Sequence, residues 1–482
     1  MKSLLKNLTL LFTVSAFAQV APSDEKDWET SVVSIQVTSR TYNSFQPWAF
    51  GSDGVNKNGV IIEGDQILTT ADGLSDATLI RLQKRGRGLW HDAKIVWIDF
   101  HANLALVEPQ ANGFFRGLEA IRISPSYPHK DDLSILRWRS GRLEKRKADF
   151  GKYAVHNAAL SAVNHVHLHV DSDIKAAGWA EPVVSGDTVV GLTSSHRDQR
   201  STVIPGAFIQ SILTSLKENS YRGLGYFSFV WTPASNPDTL KHLNLPGAPR
   251  GALIVDVPKL TGRDPVLKLN DIIIEVDGHE IDIQGDYKDP DYGYLILENL
   301  STRNRWAGDS VTLKLWREGA FVEVTYTLPS IEKAFDIVGP PTFDQAPEFH
   351  MVGGFIFQPL TDNFLRSFRR QPPFRLNHYR SEPASDSRSG RILLTQVLPD
   401  PHNLGYQNIQ FLVLDAVNQR PCSTLDDLVE ALEHPVGDVH LIEFAKGADL
   451  RKIVVAANGL EAATQRVLDR YGIPSASRRL SD

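Results

Sequence analysis

His165, His167 and His169 stand two residues apart in the run His165-Val166-His167-Leu168-His169-Val170-Asp171. Imidazole and apolar side chains alternate, so on a β-strand the three rings share one face, successive rings about 7 Å apart. Two histidines at that spacing can hold one metal ion, with Asp171 or a residue from elsewhere completing the site. Spacing fixes no third ligand, however. The plainer reading is a strand whose valine and leucine side chains face the core while its histidines face water. On that reading no metal and no other cofactor is expected, and His165, His167 and His169 are the candidates only if a metal binds after all.

Strands must hold such residues, and the chain supplies them. From about Asp27 to Leu216 short apolar runs alternate with turn signals: Ser31–Val37, Gly59–Ile62, Gln66–Thr69, Ala77–Leu82, Ala93–Trp97, Leu104–Val107, Val166–Val170 and Thr188–Leu192. Many short strands with frequent turns argue for a sandwich or barrel. Ala207 to Leu213 has helical spacing and suits a helix closing this unit before Lys217-Glu218-Asn219-Ser220. A second unit runs to about Pro329 and ends in two alternating strands, Val311–Trp316 and Phe321–Leu328, joined by Arg317-Glu318-Gly319-Ala320. A third follows the break Gly339-Pro340-Pro341, with an Arg-, Pro- and Ser-rich stretch from Arg366 to Arg391 that reads as a long exposed loop. Its Arg366, Arg369, Arg370 and Arg375 lie among phenylalanines, a field too narrow for nucleic acid.

Composition bounds the partners. Acidic residues outnumber basic ones 57 to 51, for a formal charge of −6, and removing Lys2 and Lys6 widens the gap. This gives no reason to expect nucleic acid or anionic lipid. Lys2 and Lys6, the apolar stretch Leu8 to Phe17, and Ala16-Phe17-Ala18 together read as a signal peptide over 1–18, with export to a periplasmic or extracellular space. That run is too short to anchor in a bilayer, and no later segment reaches the roughly 18–20 apolar residues of a membrane span. Cys422 is the only cysteine, which rules out an intrachain disulfide and favours a buried thiol.

The stretch Asp171-Ser172-Asp173-Ile174-Lys175-Ala176-Ala177-Gly178-Trp179-Ala180-Glu181-Pro182, continued by Val183-Val184-Ser185-Gly186-Asp187-Thr188-Val189-Val190-Gly191, resembles without a gap the nucleophile loop of the HtrA/Deg serine proteases, D-x-x-I-N-x-G-N-S-G-G-P. Leu68-Thr69-Thr70-Ala71-Asp72 resembles the frame around that family's catalytic histidine, and Asp99-Phe100-His101-Ala102-Asn103-Leu104-Ala105-Leu106 the frame around its orienting carboxylate. The resemblance puts Asp72 at the base, Asn103 at the carboxylate and Trp179 at the nucleophile. A serine protease needs a hydroxyl, an imidazole and a carboxylate there, so it implies a degenerate triad with no catalytic residue. Ala177, Ala180 and Glu181 fall where glycines are expected, which disfavours the positive-φ turns that aim two N–H groups at an oxyanion. The alternative is an active HtrA-type endopeptidase with a shifted site, for which Ser185 and His101 are the nearby residues.

The resemblance extends down the chain. Gly223-Leu224-Gly225-Tyr226, followed by Leu267-Lys268-Leu269-Asn270-Asp271-Ile272-Ile273-Ile274-Glu275-Val276-Asp277-Gly278, resembles a PDZ domain. It implies that the backbone of Gly223, Leu224, Gly225 and Tyr226 receives a peptide's terminal carboxylate. Tyr226 to Val230 would pair with the peptide and Tyr292 to Leu300 would form the helix flanking the groove. Val352 to Leu360, Leu394 to Leu398 and Tyr471 to Ala476 resemble the modified C-terminal domain of the plant Deg branch. The expected fold is therefore mainly β with some α: a trypsin-like double β-barrel over 19–218, a PDZ domain over 219–330 and a PDZ-like domain over 342–482. The resemblance further implies polypeptide or C-terminal peptide ligands, a homo-oligomer built on trimers, and an active Deg-type protease as a further partner.

Overall fold

The computed structural model describes residues 26–480 except 130–131, 159, 176, 259–264, 332–335, 369, 386–387 and 448–449. The signal segment expected at 1–18 therefore lies outside the described residues, as does Arg369.

Six strands, β1 (Val32–Tyr42), β2 (Phe50–Ile62), β3 (Gln66–Thr69), β4 (Ala77–Gln83), β5 (Trp90–Asp99) and β6 (Leu104–Pro109), close into one barrel in the order β1-β2-β3-β6-β5-β4. Alternating side chains of these strands, among them Val33, Ile35, Val37, Ile67, Leu82, Ala105 and Val107, fill its interior. Seven more follow: β7 (Arg122–Ile123), β8 (Leu133–Arg139), β9 (Arg142–Asn157), β10 (Asn164–Ser172), β11 (Pro182–Ser185), β12 (Thr188–Arg197) and β13 (Arg200–Pro205). They run in the order β11-β8-β9-β10-β13-β12-β7, and the extra β11–β12 pairing closes all but β7 into a second ring. Closure leaves neither barrel a long open edge. The helix Gly206–Lys217 then packs Phe208, Ile209 and Ile212 into the second core.

The next sheet contains β14 (Val230–Pro233), β15 (Ala252–Asp256), β16 (Ile272–Val276), β17 (His279–Glu280), β20 (Ser310–Arg317) and β21 (Ala320–Thr327), ordered β14-β15-β16-β20-β21 with β17 on β16. Between them, β18 (Asp286–Asp289) and β19 (Gly293–Ile296) form a separate hairpin, followed by a 3-10 turn at Leu297–Ser301. No α-helix forms over Tyr292 to Leu300, contrary to expectation. Gly293 sits at φ 83°, and Asp289 Oδ1 accepts the N–H groups of Asp291 (2.9 Å) and Tyr292 (3.1 Å), so a side-chain-capped turn reverses the chain there.

The last unit is an eight-stranded sheet with helices at Leu425–Leu432 and Leu460–Tyr471. The stretch from Arg366 to Arg391 is not simply an exposed loop: it holds short helical turns at Phe374–Asn377 and His378–Ser381 that bury Leu376 and Tyr379. Phe45, on the loop between β1 and β2, packs edge-on against Phe364, Phe368 and Phe411 at 5.7, 5.4 and 5.9 Å. Gln396 Nε2 donates to the Phe45 carbonyl at 2.7 Å. The first barrel is thus latched to the C-terminal unit. Cys422 is a buried free thiol there, as the composition suggests.

Candidate functional site

Between the barrels, three loops converge: the one after β3, the β5–β6 turn and the β10–β11 loop. The β5–β6 turn is shaped by Asp99, whose Oδ1 accepts the N–H groups of His101 (2.7 Å) and Ala102 (2.9 Å) and whose Oδ2 accepts from Tyr221 Oη at 2.6 Å. That turn presents Asn103, in left-handed conformation at φ 53°, toward the β3 loop. Asn103 Oδ1 then accepts the Asp72 backbone N–H at 2.8 Å. This bond makes Asp72 and Asn103 neighbours.

Beneath Asp72 lies a residue that sequence reasoning missed. Lys57 points inward from β2, only 2% exposed, and its Nζ donates to Thr70 O (2.5 Å), Thr70 Oγ1 (3.0 Å) and Asp72 O (2.5 Å). Burial pulls its ammonium down to about 7, against the upward pull of Asp72 and Glu181. Burial also raises the Asp72 carboxyl, opposed by Lys57 and the Gly73 N–H. Lys57 and Thr70 are a base and hydroxyl in contact, the raw material of nucleophilic catalysis. Thr70 is wholly buried, however, so no substrate carbonyl reaches it. Lys57 instead ties down the loop after β3, its Nζ donating to the Thr70 and Asp72 carbonyls and the Thr70 hydroxyl.

Trp179 sits on the β10–β11 loop, half-buried, with its indole against Gly73: a Cβ at Gly73 would come 3.2 Å from Trp179 Cζ3. Its carbonyl accepts from the Asn58 N–H of the first barrel at 2.9 Å, while Asn58 Oδ1 accepts from Trp138 N of β8 at 3.1 Å. The loop itself departs from expectation. Positive φ does occur, at Gly178 (108°) and at the non-glycine Ala180 (61°), so the turn forms without a glycine at 180. The compensation is Glu181, 1% exposed, whose Oε2 accepts the N–H groups of both Gly178 and Trp179 at 2.8 Å. The Thr193 hydroxyl donates to the same oxygen, and the Ala180 N–H donates to Thr193 O at 3.0 Å. A backbone nest suited to an anion is therefore filled by the chain's own carboxylate. The only sequence signal for this was an acidic residue, rather than glycine, just before Pro182.

Neither displaced candidate joins this set. His101 lines a different groove with Phe100, Tyr221, Arg222 and Phe343, where Phe100 stacks on Phe343 at 3.9 Å. Ser185 lies on the β11–β12 turn, its carbonyl accepting from Thr188 Oγ1 at 3.0 Å.

Of the β10 histidines only His169 reaches the surface, at an open cleft. His165 and His167 are wholly buried, as are Val166, Leu168 and Val170 on the opposite face. His165 stacks on Phe208 at 4.6 Å and lies 4.2 Å from His167, and His167 stacks on His156 of β9 at 4.1 Å. Packing against the helix Gly206–Lys217 makes this a second core face. Among the described residues no group of three or more histidine, cysteine or acidic side chains is arranged to hold a metal.

In the second unit, the residues expected to receive a peptide carboxylate are engaged internally. Leu224 bridges Trp306 and Gly225 bridges Ser330, while the Gly223 carbonyl accepts from Ala307 N at 2.9 Å. Tyr226 is partly buried, and burial, reinforced by Tyr326 and Asp336, raises its phenol. The strand expected over Tyr226 to Val230 begins only at Val230, because Ser228 N instead donates to Tyr326 Oη at 3.2 Å. On β14, the Trp231 indole covers Gly285 and its Nε1 donates to Glu298 Oε1 at 2.9 Å.

Two closed antiparallel β-barrels with a cleft between them, followed by smaller sheet units, define the trypsin-like class of chymotrypsin-fold proteins with appended domains. A PDZ domain family profile matches residues 338–479. The chain is 24% identical over 94% of its length to "Putative protease Do-like 12, mitochondrial" of Arabidopsis thaliana, covering 87% of that protein. It is 22% identical over 92% of its length to "Putative protease Do-like 13" of the same plant, again covering 87%. Among solved structures, "HtrA-type protease AlgW with decapeptide" aligns with 62% of this chain and 95% of its own, at 16% identity and a TM-score of 0.46. The chain is a homologue of the Do-like, HtrA-type serine proteases and carries a PDZ domain at its C-terminal end. Among the described residues no helix is long and apolar enough to cross a membrane.

Proposed function

We propose that this chain is an exported pseudoprotease of the Do-like type that binds polypeptides, or scaffolds an envelope quality-control assembly, through its PDZ units. In this reading 19–218 is the inactive protease domain, with Asp72, Asn103 and Trp179 at the base, carboxylate and nucleophile positions. Residues 219–330 and 342–482 are the two PDZ-type domains. The observation that carries it is Glu181, whose carboxylate holds the N–H at the nucleophile position, Trp179, which an oxyanion would need, together with the adjacent Gly178 N–H. An indole at 179 offers no nucleophile, and the sole base–hydroxyl pair described in the cleft, Lys57 with Thr70, is sealed from solvent. Because the loop at 223–226 is bonded internally, we assign polypeptide capture first to the PDZ domain at 338–479, with an active Do-like protease as one partner and a trimer-based homo-oligomer as the assembly.

Incubating purified mature protein with an unfolded casein is expected to yield no cleavage above a buffer blank. Cleavage that a serine-directed covalent inhibitor abolishes would sink the reading and favour a working endopeptidase with a shifted site. Capture of casein by the chain, lost on deleting 338–482, is the expected binding result.

A further inference from the structure

We propose that His156 and His169 form a two-imidazole site for a late first-row divalent ion, copper(II) or zinc(II), at the mouth of an open cleft of about 1040 Å³. The cleft lies on the second barrel and is also lined by Asn157, Asp171, Ser195, His196, Asp198 and Arg200. His156 stands on β9 across from His165, but its ring leans along the strand over His167 and meets His169, so the two Nε2 atoms are 3.2 Å apart. A tetrahedral ion bound at about 2.0–2.1 Å from each nitrogen separates two ligand nitrogens by about 3.3 Å. The two imidazoles share a hydrogen bond between these atoms, and an ion that replaces its proton finds them already at chelating distance. His156 Nδ1 donates to the Asn157 carbonyl at 3.1 Å, which leaves the lone pair on Nε2 and supplies the second-shell contact that orients metal-ligating imidazoles.

Both rings are half-exposed, whereas His165 and His167 are buried behind them and fix their position by stacking. His169 Nδ1 is buried and has no hydrogen-bond partner, so it can take the proton that Nε2 gives up on metal binding, a tautomer shift with no net proton release. Asp171 is held by Arg200 at 3.0 Å and is not counted as a ligand. Lys152, opposite His169, and Arg197 and Arg200 of the cleft are the nearby cations; their charge works against a bound dication and holds the affinity to a modest value. Water completes the coordination, since no third side chain converges among the described residues. Nitrogen donors select copper(II) over zinc(II), and either over the oxygen-seeking magnesium and calcium ions.

The test uses the tag-free full chain titrated with CuCl2 or ZnCl2, read by calorimetry, melting temperature and, for copper, EPR. One copper per chain with a two-nitrogen hyperfine pattern is expected. His156→Ala and His169→Ala should each weaken binding by about tenfold or more, and His196→Ala should leave it unchanged. The proposal falls if wild-type protein shows no saturable binding, if both variants bind as wild type, or if calcium competes equally. Should His169→Ala misfold, His156→Gln and the nitrogen count of the wild-type copper spectrum decide the matter.

Discussion

Restoring three side chains, as Asp72→His with Asn103→Asp and Trp179→Ser, leaves casein cleavage at background, and adding Glu181→Gly raises it by about 10²–10³-fold. Rebuilding the triad alone supplies a nucleophile and a base. The developing oxyanion would still meet a carboxylate oxygen 2.8 Å from the Gly178 and Trp179 N–H groups, in a buried setting. Like charges in such a place repel, and donors already engaged cannot stabilise the transition state. Glutamine separates occupancy from charge. Its amide oxygen accepts the same N–H groups, so the triple variant combined with Glu181→Gln should remain as inactive as the triple variant itself. Activity of the triple variant equal to that of the quadruple would refute the plug. So would a quadruple variant that folds, shown by an unchanged circular dichroism spectrum, yet cleaves nothing. Glu181→Gly leaves the Thr193 hydroxyl and two amides to water, so some loss of melting temperature is expected with the gain of activity.

The reason the plug was illegible in the sequence is instructive. The frame Asp171 to Gly191 was readable because the turn and strand pattern around it survives, and each strand expected in that region lies within an observed one. What Glu181 does depends on a side chain folding back on amides two and three residues earlier, which no period reports. Lys57 was hidden for a similar reason: it occupies an inward position of a strand whose other inward residues are apolar, and only the space beneath Thr70 explains it. The hairpin β8–β9 carries little alternation to read: Leu133, Ile135 and Ala148 are buried, but the same face continues into Arg137, which pairs with Glu144 at 3.0 Å, and Arg146, which stands across from Ile135. The histidines erred in the other direction. Alternation correctly gave one shared face, but which face meets solvent depends on the helix Gly206–Lys217, and Phe208 covers His165.

That buried column makes stability fall steeply with acid. His165 is neutral in the folded chain, burial having pulled its imidazole down to about 4, and His167 is driven well below its ordinary value by burial and by His165 and His156. An unfolded histidine takes a proton below about 6.5, so between that value and about 4 the unfolded state binds more protons than the folded one. The histidines' share of stability is then full above about pH 6.5 and drains away as pH drops, with His165 alone accounting for about 3 kcal/mol by pH 4. His167 adds in the same direction, and so does His169, lowered by burial first and then by His156, Arg200 and Lys152 against Asp171. Against a total of about 5–15 kcal/mol for a typical fold, this is a large share. Asp72, Asp336 and Glu298 work in the opposite sense, since burial raises their carboxyls and the folded state gains by protonating them. The difference between proteins is therefore the cleaner measure. His165→Phe keeps a ring on Phe208 and removes the titrating group. Urea midpoints for wild type should drop markedly from pH 7 to pH 5, and the His165→Phe curve should be distinctly flatter. A wild-type midpoint that holds steady over this interval, or a variant that parallels it, would mean that the column accepts protons without opening.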